Sequence, residues 1–170
     1  MSAPAVPSVI QTEPLTAAGF APFGDVIALR DTPDKIINQG KCGRHHDLAQ
    51  LDFDGGRPGI SLFNAEPRTL PYTLDMVERH PLGAQSFLPL HPAPFLVIVA
   101  EDARGQPAAP RAFVTAPYQG INFHRNTWHG VLTPLAAPGL FAVIDRIGDG
   151  ENLQEHWFDT PWRIEAGPDQ

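Results

Sequence analysis

Apolar residues in this chain come in short runs, each closed by proline, glycine or a polar turn. "PFLVIVA" (94–100) is apolar throughout, as expected of a strand buried on both faces. "PYTLDMVERHP" (71–81) alternates apolar and polar positions, the signature of a strand with one wet face. Further strands are expected in "DVIAL" (25–29), "GRPGISLFNAEP" (56–67, after an opening turn), "QSFLPL" (85–90), "RAFVTA" (111–116), "INFHRNTWHGVLTPL" (121–135) and "GLFAVIDRI" (139–147). "EDARGQPAAP" (101–110) reads as a loop. One helix is expected near residues 15–22: Thr12 or Thr16 can cap it, Leu15 and Phe20 share a face, and Gly24 ends the run. The tail "ENLQEHWFDTPWRIEAG" (151–167) carries Trp157, Phe158 and Trp162, so it packs back on the body. Short strands punctuated by 19 prolines and 15 glycines predict an all-β barrel or sandwich, with no internal repeat and no linker.

Composition narrows the classes. The 170 residues suit one domain, 1–170, large enough to bury a core; 42% are hydrophobic and only 18% charged, which argues against disorder. The net charge of −7 is spread over both halves with no basic stripe, so no nucleic-acid partner is expected. "MSAPAVPSVIQTEP" (1–14) has no basic region and no long apolar stretch, so no secretory leader is expected there. No uncharged run is apolar for long enough to span a membrane. The single Cys42 has no partner for an intrachain disulfide, which fits a reducing cytoplasm.

Polar chemistry gathers in two places. In "ERHPLGAQ" (78–85), Glu78 and His80 are two apart and point to one side of a strand, while Gln85 returns to that face after the Pro81-Leu82-Gly83 bend. A carboxylate, an imidazole and an amide oxygen converging in this way can bind a divalent cation. In "NFHRNTWHG" (122–130), Asn122 and His124 share a strand face and His129 turns inward. Taking Glu78, His80 and Gln85 from the first segment and His129 from the second gives an economical metal site. This layout resembles the two motifs of cupins, small barrels of the jelly-roll type, although the motif glycines are missing and His124 and Asn126 stand where a cupin has proline and glycine.

The core "ERHPLG-Q-F-P" carries a closer resemblance, to the ureidoglycolate lyase family. "FGDVI" (23–27), "IIN" (36–38), "RHHDLA" (44–49), "PFLVIVA" (94–100), "RAF" (111–113), "GINFHRNTWH" (120–129) and "IDR" (144–146) match in order, so the resemblance runs from about residue 12 to residue 160. It implies a mainly β, cupin-like barrel with one or two short peripheral helices, forming a cytoplasmic homodimer in allantoin degradation. The implied reaction splits (S)-ureidoglycolate into glyoxylate and urea, with a divalent metal, nickel, associated. Two positions depart from the pattern. Asn64 stands where relatives carry arginine, which would weaken carboxylate recognition, and Gly130 replaces a second histidine near the barrel mouth.

The implied substrate carries hydroxyl, carboxylate and ureido nitrogen on one carbon. Its cleavage needs a base for the hydroxyl proton, an acid for the departing nitrogen and a clamp for the carboxylate. It needs no covalent nucleophile, and the chain has no serine elbow. His124, expected to line the same cavity as the metal ligands without joining them, or His46 is the expected base, and Arg44 or Arg146 the clamp, with Asn122 and Arg79 completing the candidate substrate contacts. Other readings of the same residues are a metal-dependent cupin isomerase or dioxygenase acting on another small acid, and a non-catalytic cupin that binds one.

Overall fold

A computed structural model describes residues 8–168; the start of the stretch read as leaderless, residues 1–7, lies outside them. Strands are numbered here along the chain. The larger sheet runs in the order β1 (Val9–Gln11), β17 (Gln154–Glu165), β7 (Tyr72–Arg79), β14 (Trp128–His129), β9 (Phe95–Ala100), β12 (Arg111–Val114) and β2 (Glu13–Pro14), with β15 (Thr133–Pro134) also paired to β9. The smaller sheet runs β3 (Gly24–Ile27), β13 (Gly120–Phe123), β8 (Gln85–Pro89), β16 (Leu140–Ile147), β6 (Arg57–Asn64). Two hairpins stand apart, β4 (Lys35–Ile37) with β5 (Cys42–Arg44), and β10 (Asp102–Ala103) with β11 (Gln106–Pro107). Together the two sheets make a nearly closed barrel, the mainly β, cupin-like architecture expected.

Side-chain alternation explains how the barrel fills. Phe95, Val97 and Val99 of β9 point inward and meet Phe87, Ile121, Phe123, Phe141 and Val143 from the smaller sheet. Leu96, Ile98 and Ala100 point the other way, into a second cluster with Leu74, Val77, Trp128 and Ile164. Strand β9 thus buries both faces, which is why its sequence is apolar without interruption. The core is close-packed: a small void against Phe87, Phe123 and Gly130 holds about 10 Å³.

Several elements differ from the sequence reading. The segment 121–135 is not one continuous strand pair. It breaks into β13, β14 and β15, and the chain passes from the smaller sheet to the larger through a turn in which Asn126 adopts φ 68°, a conformation asparagine tolerates. The segment 101–110, read as a loop, contains the β10–β11 hairpin, turned at Arg104 and Gly105 with φ 58° and 85°. The helix is a single turn, α1 (Ala17–Phe20), and Thr16 rather than Thr12 caps it, accepting the Gly19 N–H at 3.1 Å. Ala21 closes it, and Gly24 opens β3 instead of ending the helix. The tail packs back as the twelve-residue β17, antiparallel to β7 and parallel to β1. No helix among the described residues is long and apolar enough to cross a membrane.

Candidate metal centre and its surroundings

Strand pairing builds the inner polar cluster. Glu78 near the end of β7 lies directly opposite His129 on β14. His80 follows β7, so it falls on the same side as Glu78. Glu78, His80 and His129 each offer one donor atom within 4.8 Å of the other two. The His80 Nε2–Glu78 Oε1 distance is 3.9 Å, and the two imidazole centres are 5.2 Å apart. Phe123 stacks on His129, with centroids 4.2 Å apart and planes within 8°, and its backbone lies opposite Gln85 at the start of β8.

Hydrogen bonds fix which nitrogens are free. His80 Nδ1 lies 2.7 Å from the Asn152 carbonyl, and His129 Nδ1 lies 2.9 Å from the Gly130 carbonyl. A carbonyl only accepts, so in both rings Nδ1 carries the proton and Nε2 carries the lone pair. Among the described residues neither Nε2 has a hydrogen-bond partner, and both are buried. The Gln85 side-chain oxygen is likewise buried and unpartnered, while its amide N–H donates to Asp145 Oδ2 at 3.4 Å, which turns the oxygen away from Asp145. Buried polar atoms are rarely left unpaired, so two imidazole lone pairs and an amide oxygen without partners fit a site built to hold a cation. Electrostatics agree. Full burial, and then the neighbouring His80, push the His129 pKa down to about 3, so that ring is neutral throughout the working range. Burial raises the Glu78 carboxyl above its ordinary value; His80 opposes the shift and Glu155 adds to it.

The other expected site residues do not join this cluster. Phe123 points inward, so its neighbours Asn122 and His124 face the outside of the smaller sheet. There Asn122, fully buried, accepts from Ser86 Oγ (2.7 Å) and donates to Asp25 Oδ2 (3.0 Å) and to the Gln50 carbonyl (2.9 Å). His124 Nε2 sits 3.2 Å from Asp25 Oδ1, with its side chain 43% exposed, in an open cleft of about 470 Å³ shared with Gly24, Val26, Leu29 and Gln119. Desolvation alone would raise the Asp25 carboxyl, but hydrogen bonds from Asn122, the Gln50 N–H and His124 together hold it below its usual value.

Arg79 leaves β7 on the face opposite Glu78. It lies 4.2 Å over the Trp128 ring and bonds Gln154 Oε1 and Asp102 Oδ1 at 2.7 and 2.8 Å. Arg146 is committed to the backbone carbonyls of Asp54, Gly55 and Asp149. Arg44 stands exposed on the β4–β5 hairpin, and His46 follows it in an exposed loop where its main-chain N–H bonds Asp34. Asn64 is exposed at the end of β6. Position 130 is not at the barrel mouth: a side chain there would meet Ile98 and Leu74 of the second apolar cluster.

Three residues that the sequence reading did not place now have positions. Asp145 orients Gln85, and Asn152 fixes the His80 tautomer while accepting the Leu82 N–H at 2.7 Å. Asp25 partners His124. For Asp145 a signal was available, since it shares the inward parity of Phe141 and Val143 in "FAVID".

A family profile described as ureidoglycolate lyase matches residues 7–165. The chain is 63% identical over 158 residues to a protein named ureidoglycolate lyase from Rhodobacter capsulatus, covering 92% of this chain and 98% of that one. It is 52% identical over 157 residues to a ureidoglycolate lyase of Chelativorans sp. (91% and 95% covered), and 53% identical over 154 residues to ureidoglycolate lyase 2 of Rhizobium meliloti (89% and 94% covered).

Proposed function

This chain belongs to the ureidoglycolate lyase family, and from that premise we propose that it splits (S)-ureidoglycolate into glyoxylate and urea at the inner cluster. The observation that carries this siting is the set of unpartnered buried atoms, His80 Nε2, His129 Nε2 and Gln85 Oε1, beside the Glu78 carboxyl. Glu78, His80, Gln85 and His129 would hold a divalent cation, nickel by family resemblance, in the N- and O-donor set such ions accept. When bound, the ion polarises substrate oxygen and lowers the pKa of the hydroxyl.

The chain's own groups do the remaining work. Without the ion, burial raises the Glu78 carboxyl above its ordinary value; a bound cation would lower it again, so Glu78 acts as the base through the oxygen that does not hold the ion. It takes the hydroxyl proton as the C–O bond becomes a carbonyl and the C–N bond breaks. It then returns that proton to the ureido nitrogen, so one proton moves from oxygen to nitrogen with no net change. His129 has no proton on Nε2 and a folded pKa of about 3, so it serves as a donor of electrons and not as an acid. Glu78 and His80 retain partial exposure, so substrate enters past them, and the packed phenylalanines behind close the other side. The setting is a cytoplasmic homodimer working in allantoin degradation.

A specific observation favours a second reading of the proton transfer. His124 is backed by Asp25 at 3.2 Å, the arrangement that orients an imidazole base; among the described residues His46 meets Asp34 through its main-chain N–H. Two substitutions separate the readings in an assay that follows glyoxylate as its hydrazone. Glu78→Gln keeps an oxygen donor but cannot carry the proton, so turnover should fall by about 10²–10⁴ while bound metal is partly retained. His124→Ala should leave turnover within a few-fold. The opposite pattern would move the base to the outer cleft, and full activity after exhaustive chelation would remove the cation from the scheme.

A further inference from the structure

A row of residues crosses the larger sheet at the level of the inner cluster. Register places Glu155 of β17 directly opposite Glu78 of β7, Glu78 opposite His129 of β14, and His129 opposite Val99 of β9. Side chains that stand opposite one another in a sheet share a face, so the row follows Val99, which points inward. Exposure rises along it. Val99 is sealed, His129 is 2% exposed, the Glu78 side chain is 21% exposed, and Glu155 is open to solvent. Glu155 is therefore the outermost group of the row on the way into the cluster.

A free carboxylate in this place needs an explanation. Like charges directly opposite each other in a sheet destabilise the pair, and Glu155 is near enough for its charge to act on Glu78. A cation would compensate Glu78, which offers a donor atom beside those of His80 and His129, whereas Glu155 is not among the groups that converge there. Among the described residues no cationic group or N–H is bonded to the Glu155 side chain. Its two oxygens stand beside the site with their capacity to accept hydrogen bonds unused.

We propose that Glu155 selects the ureido end of the substrate, accepting hydrogen bonds from its terminal NH2 group. The inference rests on the reading of the inner cluster as the place where ureidoglycolate is cleaved. That substrate has two unlike ends: carboxylate and hydroxyl oxygens, which suit the cation, and a ureido group, which offers N–H donors. A carboxylate at the entrance repels the first end and accepts from the second. The molecule therefore lies with its oxygens inward and its NH2 group towards β17. The arginines do not reverse this polarity, because Arg79 and Arg146 are bonded to other groups and Arg125 lies against Asp52 and Asp54. An analogue with a second carboxylate where the NH2 stands is refused at the same position.

Steady-state kinetics and calorimetry on the nickel-loaded protein test this. Glu155→Ala should raise KM for ureidoglycolate about tenfold to a hundredfold, the scale of a hydrogen bond to a charged group. Turnover should stay within a few-fold, because the bond is made in ground and transition states alike. Glu155→Gln keeps an oxygen acceptor without the charge and should fall between. Asp75→Asn, which removes an exposed carboxylate from β7, should match the wild type. Calorimetry uses two unreactive probes. Ureidoacetate has the carboxylate and the ureido group without the hydroxyl, and should bind Glu155→Ala about tenfold to a hundredfold more weakly than the wild type. Glycolate has the carboxylate and the hydroxyl without the ureido group, and should bind both within a few-fold. The sign discriminates: were Glu155 only a repelling charge, its removal would tighten both anions and lower KM. That result overturns the proposal, as does unchanged KM and ureidoacetate binding, or loss of nickel from Glu155→Ala, which would make the residue a ligand. A wild type that binds ureidoacetate through Glu155 yet does not cleave ureidoglycolate would sink the reaction and leave this recognition standing.

Discussion

His129 is forced to be neutral by its position. It is fully buried, stacked on Phe123 and faced by a second imidazole, and it resists protonation until about pH 3. The unfolded chain has no such constraint and takes up a proton near the ordinary value of 6.5. Between those values the unfolded state binds the extra proton, so the cation-free protein should lose stability as pH falls from about 6.5 towards 3. The slope at this position approaches about 1.4 kcal/mol per pH unit. Glu78 acts in the opposite sense: its raised folded pKa favours the fold below the ordinary carboxylate value, and this contribution is lost as pH rises through the folded value. Urea midpoints measured across this range in chelator should show the acid-side loss in the wild type and a flatter curve in His129→Gln. The spacing of Glu78 and His80 made their shared face legible in the sequence. The expectation that His124 lines the same cavity failed although the signal was there: "INFH" alternates Ile121 and Phe123 with Asn122 and His124, and the apolar pair takes the core. What the string could not supply was the partner, since Asp25 lies 99 residues away and meets His124 only through the pairing of β3 with β13.

Three strands owe their alignment to one polar chain, Asp25 of β3, Asn122 of β13 and Ser86 of β8. Asn122→Ala would leave buried groups on either side without partners and should cost about 1–3 kcal/mol, read as a lower urea midpoint with an unchanged slope. The same pairing demands a glycine at position 24, where a Cβ would lie 1.9 Å from the Asn122 carbonyl oxygen. Gly24→Ala should therefore push β3 off β13 and destabilise by about 1–3 kcal/mol or more, and it should also pull Asp25 away from His124, visible as a change in the chemical shifts of that imidazole ring by NMR. Strands such as β7, β9 and β16 were readable because their apolar runs are long and their periodicity is clear. The β4–β5 and β10–β11 hairpins were not, because their strands are two or three residues long and mostly exposed, so hydrophobic pattern carries no information about them.

In the whole molecule, β17 covers one side of β7, the strand that carries Glu78, and brings Phe158 and Trp162 onto the second apolar cluster. Ending the chain before Gln154 would leave β7 an open edge and uncover that cluster; such a variant should lose the native circular dichroism spectrum and aggregate on light scattering. The outer strands also join distant parts of the chain: Val9–Gln11 pairs with Arg163–Glu165, and Glu13–Pro14 with Phe113–Val114. Val9–Gln11 thus waits for Arg163–Glu165 to be made. At bacterial and eukaryotic elongation rates that is roughly 10–30 s. For that interval the nascent chain carries an incomplete larger sheet, and the barrel closes only after Arg163–Glu165 has left the ribosome.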